Sequence, residues 1–159
     1  MSATPYRPNG GRHHVVVIGA GFGGINAVKQ LKGTEVDITI IDKKNHHLFQ
    51  PMLYQVATGM ISASEIAPST RQMLRGQQNA NFVNATVTDI NLEDQTVTAE
   101  NDNFHRTYGF DSLVIAAGSS QSYFGNDHFA KFAPGMKTID DALELRSRIV
   151  SAFEQAEPC

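Results

Sequence analysis

A chain of 159 residues is long enough to bury one core without disulfide or metal staples. Its 41% hydrophobic and 18% charged content excludes a coiled coil or a disordered polymer, and a net charge of −3 gives no basic surface for nucleic acid or an anionic membrane. The single cysteine, Cys159, excludes an internal disulfide and a cysteine-based metal site, so a reducing, cytoplasmic setting is expected.

Residues 1–12 carry Pro5, Pro8, Gly10 and Gly11 without an apolar run, and read as a flexible tail, not a signal peptide. Val15-Val16-Val17-Ile18 is a β-branched run without polar alternation, as in a parallel strand covered on both faces. Gly19-Ala20-Gly21-Phe22-Gly23-Gly24 follows at once. Ile25, Ala27, Val28 and Leu31 then fall at helical spacing, with Gly33 as the stop. Val36, Ile38, Ile40 and Ile41 make a second strand that ends at Asp42. The uncharged apolar stretch from Val15 to Ile25 is 11 residues, against about 20 for a membrane-spanning helix.

Lys43 to Met60 has no clear period but holds Leu48, Phe49, Pro51, Met52, Leu53, Tyr54 and Val56, so it is expected to cover core or ligand. Pro68 suits the first turn of a helix to about Arg75, stopped by Gly76. From Asn81 to Tyr108 the period becomes two. Phe82-Val83, Thr86 to Ile90, Thr96 to Thr98 and Phe104 to Tyr108 read as a small antiparallel meander. Leu113 to Gly118 reads as another buried parallel strand ending in small residues. A last helix starts at Thr138, where Thr138 and Asp141 form a capping pair, with Ala142, Leu145, Ile149 and Phe153 as its inner stripe.

The chemistry lies in the strand, glycine turn, helix, strand and acid. Gly19 allows the tight turn, Gly21 lets backbone approach a pyrophosphate, and Gly24 lets helix and strand pack closely. The helix N-terminus favours an anion. Asp42 stands 18 residues beyond Gly24, near the roughly 20-residue spacing of a ribose-binding acid, and its charge disfavours a 2′-phosphate. Lys43 and Lys44 read as solvated residues at a strand exit, with only the Lys43 backbone near an adenosine. Adjacent His46 and His47 do not point the same way on a strand, and no ligand set joins them. A hydrogen-bonding role beside the ligand, or solvation, is expected for them. No catalytic residue and no metal site is assigned.

A β-meander between the second strand and Leu113, together with the Ala116-Ala117-Gly118 ending, resembles the FAD-binding domain of the flavoproteins with two dinucleotide-binding domains. Val16 to Gly24, Leu48-Phe49-Gln50-Pro51-Met52-Leu53-Tyr54-Gln55-Val56-Ala57, Ile66-Ala67-Pro68 and Tyr108 to Gly118 resemble the type II, non-proton-pumping NADH:quinone oxidoreductases. The likeness covers about residues 13–157. It implies an α/β, Rossmann-like FAD-binding domain, a parallel sheet with an inserted antiparallel meander, incomplete relative to the family.

The resemblance further implies that electrons pass from NADH through FAD to a membrane quinone. Gly19, Gly21, Phe22, Gly23 and Gly24 would hold the pyrophosphate and Asp42 the adenosine ribose, with Lys43 beside it. Pro51 would line the isoalloxazine, Val87 would meet the adenine through its backbone, and Ala117 and Gly118 would border the flavin. No Cys-x-x-x-x-Cys lies between Asp42 and Gly59, so disulfide reduction within this chain is excluded. Family members are several times longer, so the chain is expected to be a fragment or truncated product lacking the NADH and quinone sites. A stand-alone FAD- or ADP-binding module is the alternative. Membrane association at the cytoplasmic face would belong to absent elements, and an unpaired sheet edge predicts self-association.

Overall fold

In the computed structural model, which describes residues 4–8 and 11–157, the chain divides into two compact units, Met1–His47 with Ser69–Gly118, and Leu48–Pro68 with Ser119–Cys159. The first unit is built on a four-stranded parallel sheet in the order β3-β2-β1-β7. Its strands are β1 (His13–Ile18), β2 (Val36–Asp42), β3 (Ala80–Asn84) and β7 (Ser112–Ile115). Val15, Val17, Ile38 and Ile40 point to one face and pack under helix α1 (Phe22–Gln30) through Ile25 and Val28. On the other face Val16 and Ile41 pack with Val97, Ala99 and Tyr108. That second face is covered by an antiparallel sheet of β4 (Thr86–Asn91), β5 (Thr96–Asn101) and β6 (Phe104–Gly109). Sheet coverage on both sides explains why Val15 to Ile18 of β1 lack polar alternation.

The meander is therefore present, but Phe82-Val83 is not part of it. Those residues lie in β3, paired in parallel with β2 through Ile40↔Phe82 and Ile41↔Val83. β3 is an edge strand in which Asn81 is exposed while Ala80, Phe82, Val83 and Asn84 are half-buried. Its inner residues Ala80 and Phe82 pack against the α1 side of the core. The second strand thus does lead through a helix into another parallel strand. The meander lies between β3 and β7.

Helix α3 (Thr70–Met73) is shorter than the expected span from Pro68 to Arg75. Ser69 precedes it in an extended conformation, and Leu74 turns down into the core. The segment expected to be a flexible tail is anchored at Tyr6 and Arg7. Tyr6 N–H donates to Thr107 O at 2.8 Å, Tyr6 O accepts from Gly109 N–H at 3.1 Å, and Arg7 pairs with Asp111 at 2.8 Å.

The second unit contains α2 (Leu53–Ala57) and α4 (Ile139–Ala156), whose core is Leu53, Val56, Ala57, Ile66 and Ala142. The aperiodic stretch after Lys43 thus hides a short helix, too brief to show a period. Thr138 caps α4: its side chain accepts from Asp141 N–H, and the Asp141 carboxylate accepts from Thr138 N–H at 2.8 Å. The expected stripe is covered only at its start. Ala142 is buried and Leu145 half-buried, while Ile149 and Phe153 are exposed. No helix among the described residues is long and apolar enough to cross a membrane.

Candidate functional site

Strand order sets the position of the site. The chain runs outward from β1 to β2 and β3, then returns to place β7 on the other side of β1. Between β1 and β7 the order reverses, and the carboxyl ends of strands at such a switch point are where open α/β sheets bind ligands. The glycine turn leaves β1 there, and Ala116 to Gly118 leave β7 beside it. Ala116 N–H donates to Ile18 O at 2.8 Å.

The glycines of the turn divide by what encloses them. Gly19 has φ +99°, and a Cβ there would stand 2.3 Å from Ala116 O. A Cβ on Gly24 would stand 1.8 Å from Gly19 O, and 3.4 Å from a Val17 methyl. Both are required by the chain itself. Gly21 is different: it is exposed, has φ −72°, and a Cβ would meet nothing within 4 Å. At Gly23 a Cβ would make only an ordinary 3.6 Å contact with the Ala116 methyl. Among the described residues nothing demands glycine at these two positions.

Gly21 is also the N-cap of α1, so no side chain caps that helix, and its first turn holds no acidic residue. The first intrahelical bond runs from Ile25 N–H to Gly21 O at 3.0 Å. The N–H groups of Gly23 and Gly24 precede it in the turn where a helix has no acceptors of its own and where its dipole is positive. The side chain of Phe22 is exposed on the same turn.

Asp42 ends β2 next to this turn. Its carboxylate accepts from Ala20 N–H at 2.6 Å and from Lys44 N–H at 2.7 Å. An ionised carboxylate offers about four acceptor sites, so capacity remains for a sugar hydroxyl. The Asp42 backbone carbonyl accepts from Asn84 Nδ2 at 3.0 Å and from Ala85 N–H at 3.0 Å. These two bonds tie the start of the meander to the end of β2. Val87, two residues on, is half-buried, at a register slip between Val87 and Asp89. Such bulges re-aim a strand beside functional sites. Lys43 is exposed at the strand exit, and Ala117 and Gly118 (φ +72°) are exposed beyond β7. Pro51 belongs to the second unit, in the short 3-10 turn Gln50–Met52, with its side chain exposed.

His46 is half-buried and His47 buried. His46 bridges to Ser69 through its backbone, whereas His47 is buried, with its Nδ1 3.0 Å from Ala20 O and its ring edge-on to Phe22. The contact with Ala20 depends on the chain's return after β2, so no local spacing in the sequence signals it. A cavity of about 490 Å³ lies at the opposite, amino-terminal end of the strands, lined by Arg12, Lys32, Glu35 and Asp37 among others. Its charges are of both signs, and it lies away from the switch point.

Comparisons with known proteins give the family. Residues 13–154 match the pyridine nucleotide-disulphide oxidoreductase family. The chain is 62% identical over 146 residues to the type II NADH:quinone oxidoreductase Ndh of Mycobacterium tuberculosis, covering 92% of this chain and 32% of that protein. It is 60% identical over 148 residues to NdhA of the same organism, covering 93% and 32%. The solved structure of NDH2 from Plasmodium falciparum in complex with NADH matches with a TM-score of 0.80 at 27% identity, over 92% of this chain and 30% of that one. The chain thus spans about a third of the length of the curated relatives it matches. With its resemblance to the type II NADH:quinone oxidoreductases borne out, the chain belongs to the pyridine nucleotide-disulphide oxidoreductase family.

Proposed function

We propose that this chain is the FAD-binding portion of an oxidoreductase that passes electrons from NADH to a membrane quinone. The observation that carries the reading is Gly21, a glycine that the chain does not need for its own packing, at an uncapped helix N-terminus. The chemistry that FAD supplies when bound is the two-electron transfer between NADH and quinone. The residues of the chain bind and orient. Backbone N–H groups at Gly21, Phe22, Gly23 and Gly24 face the pyrophosphate charge, and Gly19 sets the turn that presents them. Asp42 accepts from the adenosine ribose and repels a 2′-phosphate. Lys43 and the Val87 backbone flank the adenosine, Ala117 and Gly118 border the flavin, and Pro51 lines the isoalloxazine. The high identity to Ndh and NdhA, whose names give NADH and quinone, supports these as the partners of the whole protein. Its work at a cytoplasmic membrane face would then rest on elements beyond the third that matches.

A second reading is a module that binds FAD or ADP without turnover. Titrating the 159-residue chain with FAD, and then adding NADH, addresses both. Stoichiometric flavin binding is expected, with Gly21→Ala folding normally yet binding at least about tenfold more weakly, equivalent to about 1.4 kcal/mol. A folded chain that binds no flavin, or a G21A variant that binds as well as the parent, would overturn the proposal. NADH oxidation by the loaded chain would exclude the module.

A further inference from the structure

We infer that His47 is a positioning residue that aims the Gly21 N–H at the dinucleotide, by holding the Ala20 carbonyl from below. The inference rests on the reading of the turn as a dinucleotide site.

Four of the six residues from Gly19 to Gly24 are glycine, and glycine brings the greatest backbone freedom to a turn. Ala20 is the residue between the first two of them, and it is 1% exposed. Both of its backbone groups are tied to residues distant in sequence. Its N–H donates to Asp42 Oδ2 at 2.6 Å, and its carbonyl accepts from His47 Nδ1 at 3.0 Å.

The Ala20 carbonyl and the Gly21 N–H belong to one planar trans peptide, so they point in opposite directions. A carbonyl turned toward a buried imidazole therefore turns the Gly21 N–H away from it, at a residue whose own surface is exposed. His47 is 7% exposed and is itself held in place, its ring edge meeting Phe22 with centroids 4.9 Å apart. The bond to a carbonyl fixes the proton on Nδ1. Without that donor the nearest hydrogen bond is the one from Ala20 N–H to Asp42, which belongs to the preceding peptide.

A residue that merely fills space makes the opposite prediction from one that donates. His47→Phe keeps a ring against Phe22 and removes the donor. His47→Asn keeps an N–H donor near the Nδ1 position and removes much of the ring. In the full 159-residue chain, equilibrium binding of FAD, and of ADP as a flavin-free probe, is measured beside amide exchange at Ala20 without ligand.

His47→Phe is expected to weaken both ligands about tenfold and to speed Ala20 exchange by a similar factor. His47→Asn is expected to stay within about threefold of the parent in both. Exchange at Val16 and Ile40 serves as the control for the fold. An H47N chain as weak as H47F, or an H47F chain equal to the parent, would overturn the inference. If H47F does not fold, H47N decides alone, by keeping or losing the parent affinity and exchange rate. A parent chain that binds neither FAD nor ADP would sink the dinucleotide reading, whereas the Ala20 exchange comparison would still report on the grip of His47.

Discussion

The carbonyl oxygen of Ala116 occupies the space that a side chain on Gly19 would need, 2.3 Å from where its Cβ would lie. The turn after β1 and the turn after β7 are thereby fitted to each other as backbone against backbone. Gly19→Ala combines that clash with a φ of +99°, which L-residues rarely adopt, so neither strain can relax without parting β1 from β7. A loss of about 3 kcal/mol or more is expected, measured as the urea midpoint followed by circular dichroism. Gly23→Ala, with its ordinary contact, should leave the midpoint unchanged or slightly raised. Equal midpoints for G19A and the parent would mean that the two turns are not in contact in solution.

How much of this was legible in sequence depends on the range of the interaction. The order from Val15 to Asp42 and the Thr138–Asp141 cap are local patterns, and the structure reproduces both. β3 passes for part of the meander in sequence because a five-residue edge strand is too short for its pattern to separate a parallel from an antiparallel neighbour. Helix α2, of five residues, is shorter than the window in which a helical period emerges. The site divides in the same way. The glycine turn and Asp42 follow spacing rules, whereas the wall made by Ala116 O and the grip of His47 on Ala20 arise only when distant segments meet. The different reasons for Gly19 and Gly21 are likewise invisible in a motif that writes both as the same letter.

The amino-terminal end of β1 gives the unit two separate pH responses. His14 is buried, its Nδ1 donating to Gly109 O at 2.5 Å and its Nε2 accepting from Thr39 Oγ1 at 2.8 Å. Burial pulls its pKa below the ordinary value, against the raising effect of the Gly109 bond. A depressed folded pKa means that the unfolded chain takes up the proton first. This stabilisation is complete above the unfolded value of about 6.5 and is lost as pH falls through the lower folded value. Asp111 responds in the acid range. Its hydrogen bond from Arg7, and then that from His14 N–H, hold its carboxyl below the ordinary value. That contribution is present above about pH 3.9 and is lost below it. The Arg7–Asp111 pair is about a third exposed, so it is worth under about 1 kcal/mol and weakens with salt. Denaturation midpoints from pH 3 to pH 8 should therefore show a shallower slope below neutrality in His14→Gln. In Asp111→Asn the shallower slope should fall below about pH 4. Parent-like slopes in both variants would contradict these assignments.

Self-association is the remaining expectation, and each unit carries surface that supports it. In the first, β7 pairs with β1, and among the described residues no strand lies against its other edge. Ile115, its last residue, is 64% exposed. Unpaired strand edges with apolar side chains are templates for another chain. In the second, the stripe on α4 continues past its cover, leaving Ile149 at 42% and Phe153 at 70% exposure. Concentration-dependent association is therefore expected at roughly tens of micromolar, seen as a rising mass in light scattering. Ile115→Lys should reduce it if the sheet edge dominates, because a charge on an edge strand opposes pairing. Phe153→Glu should reduce it if the helix does. Because burial of apolar surface drives the contact, raising the salt concentration should not dissolve it, in contrast to a contact made by ion pairs. A monodisperse monomer over that concentration range would show that neither surface is sticky enough to recruit a second copy.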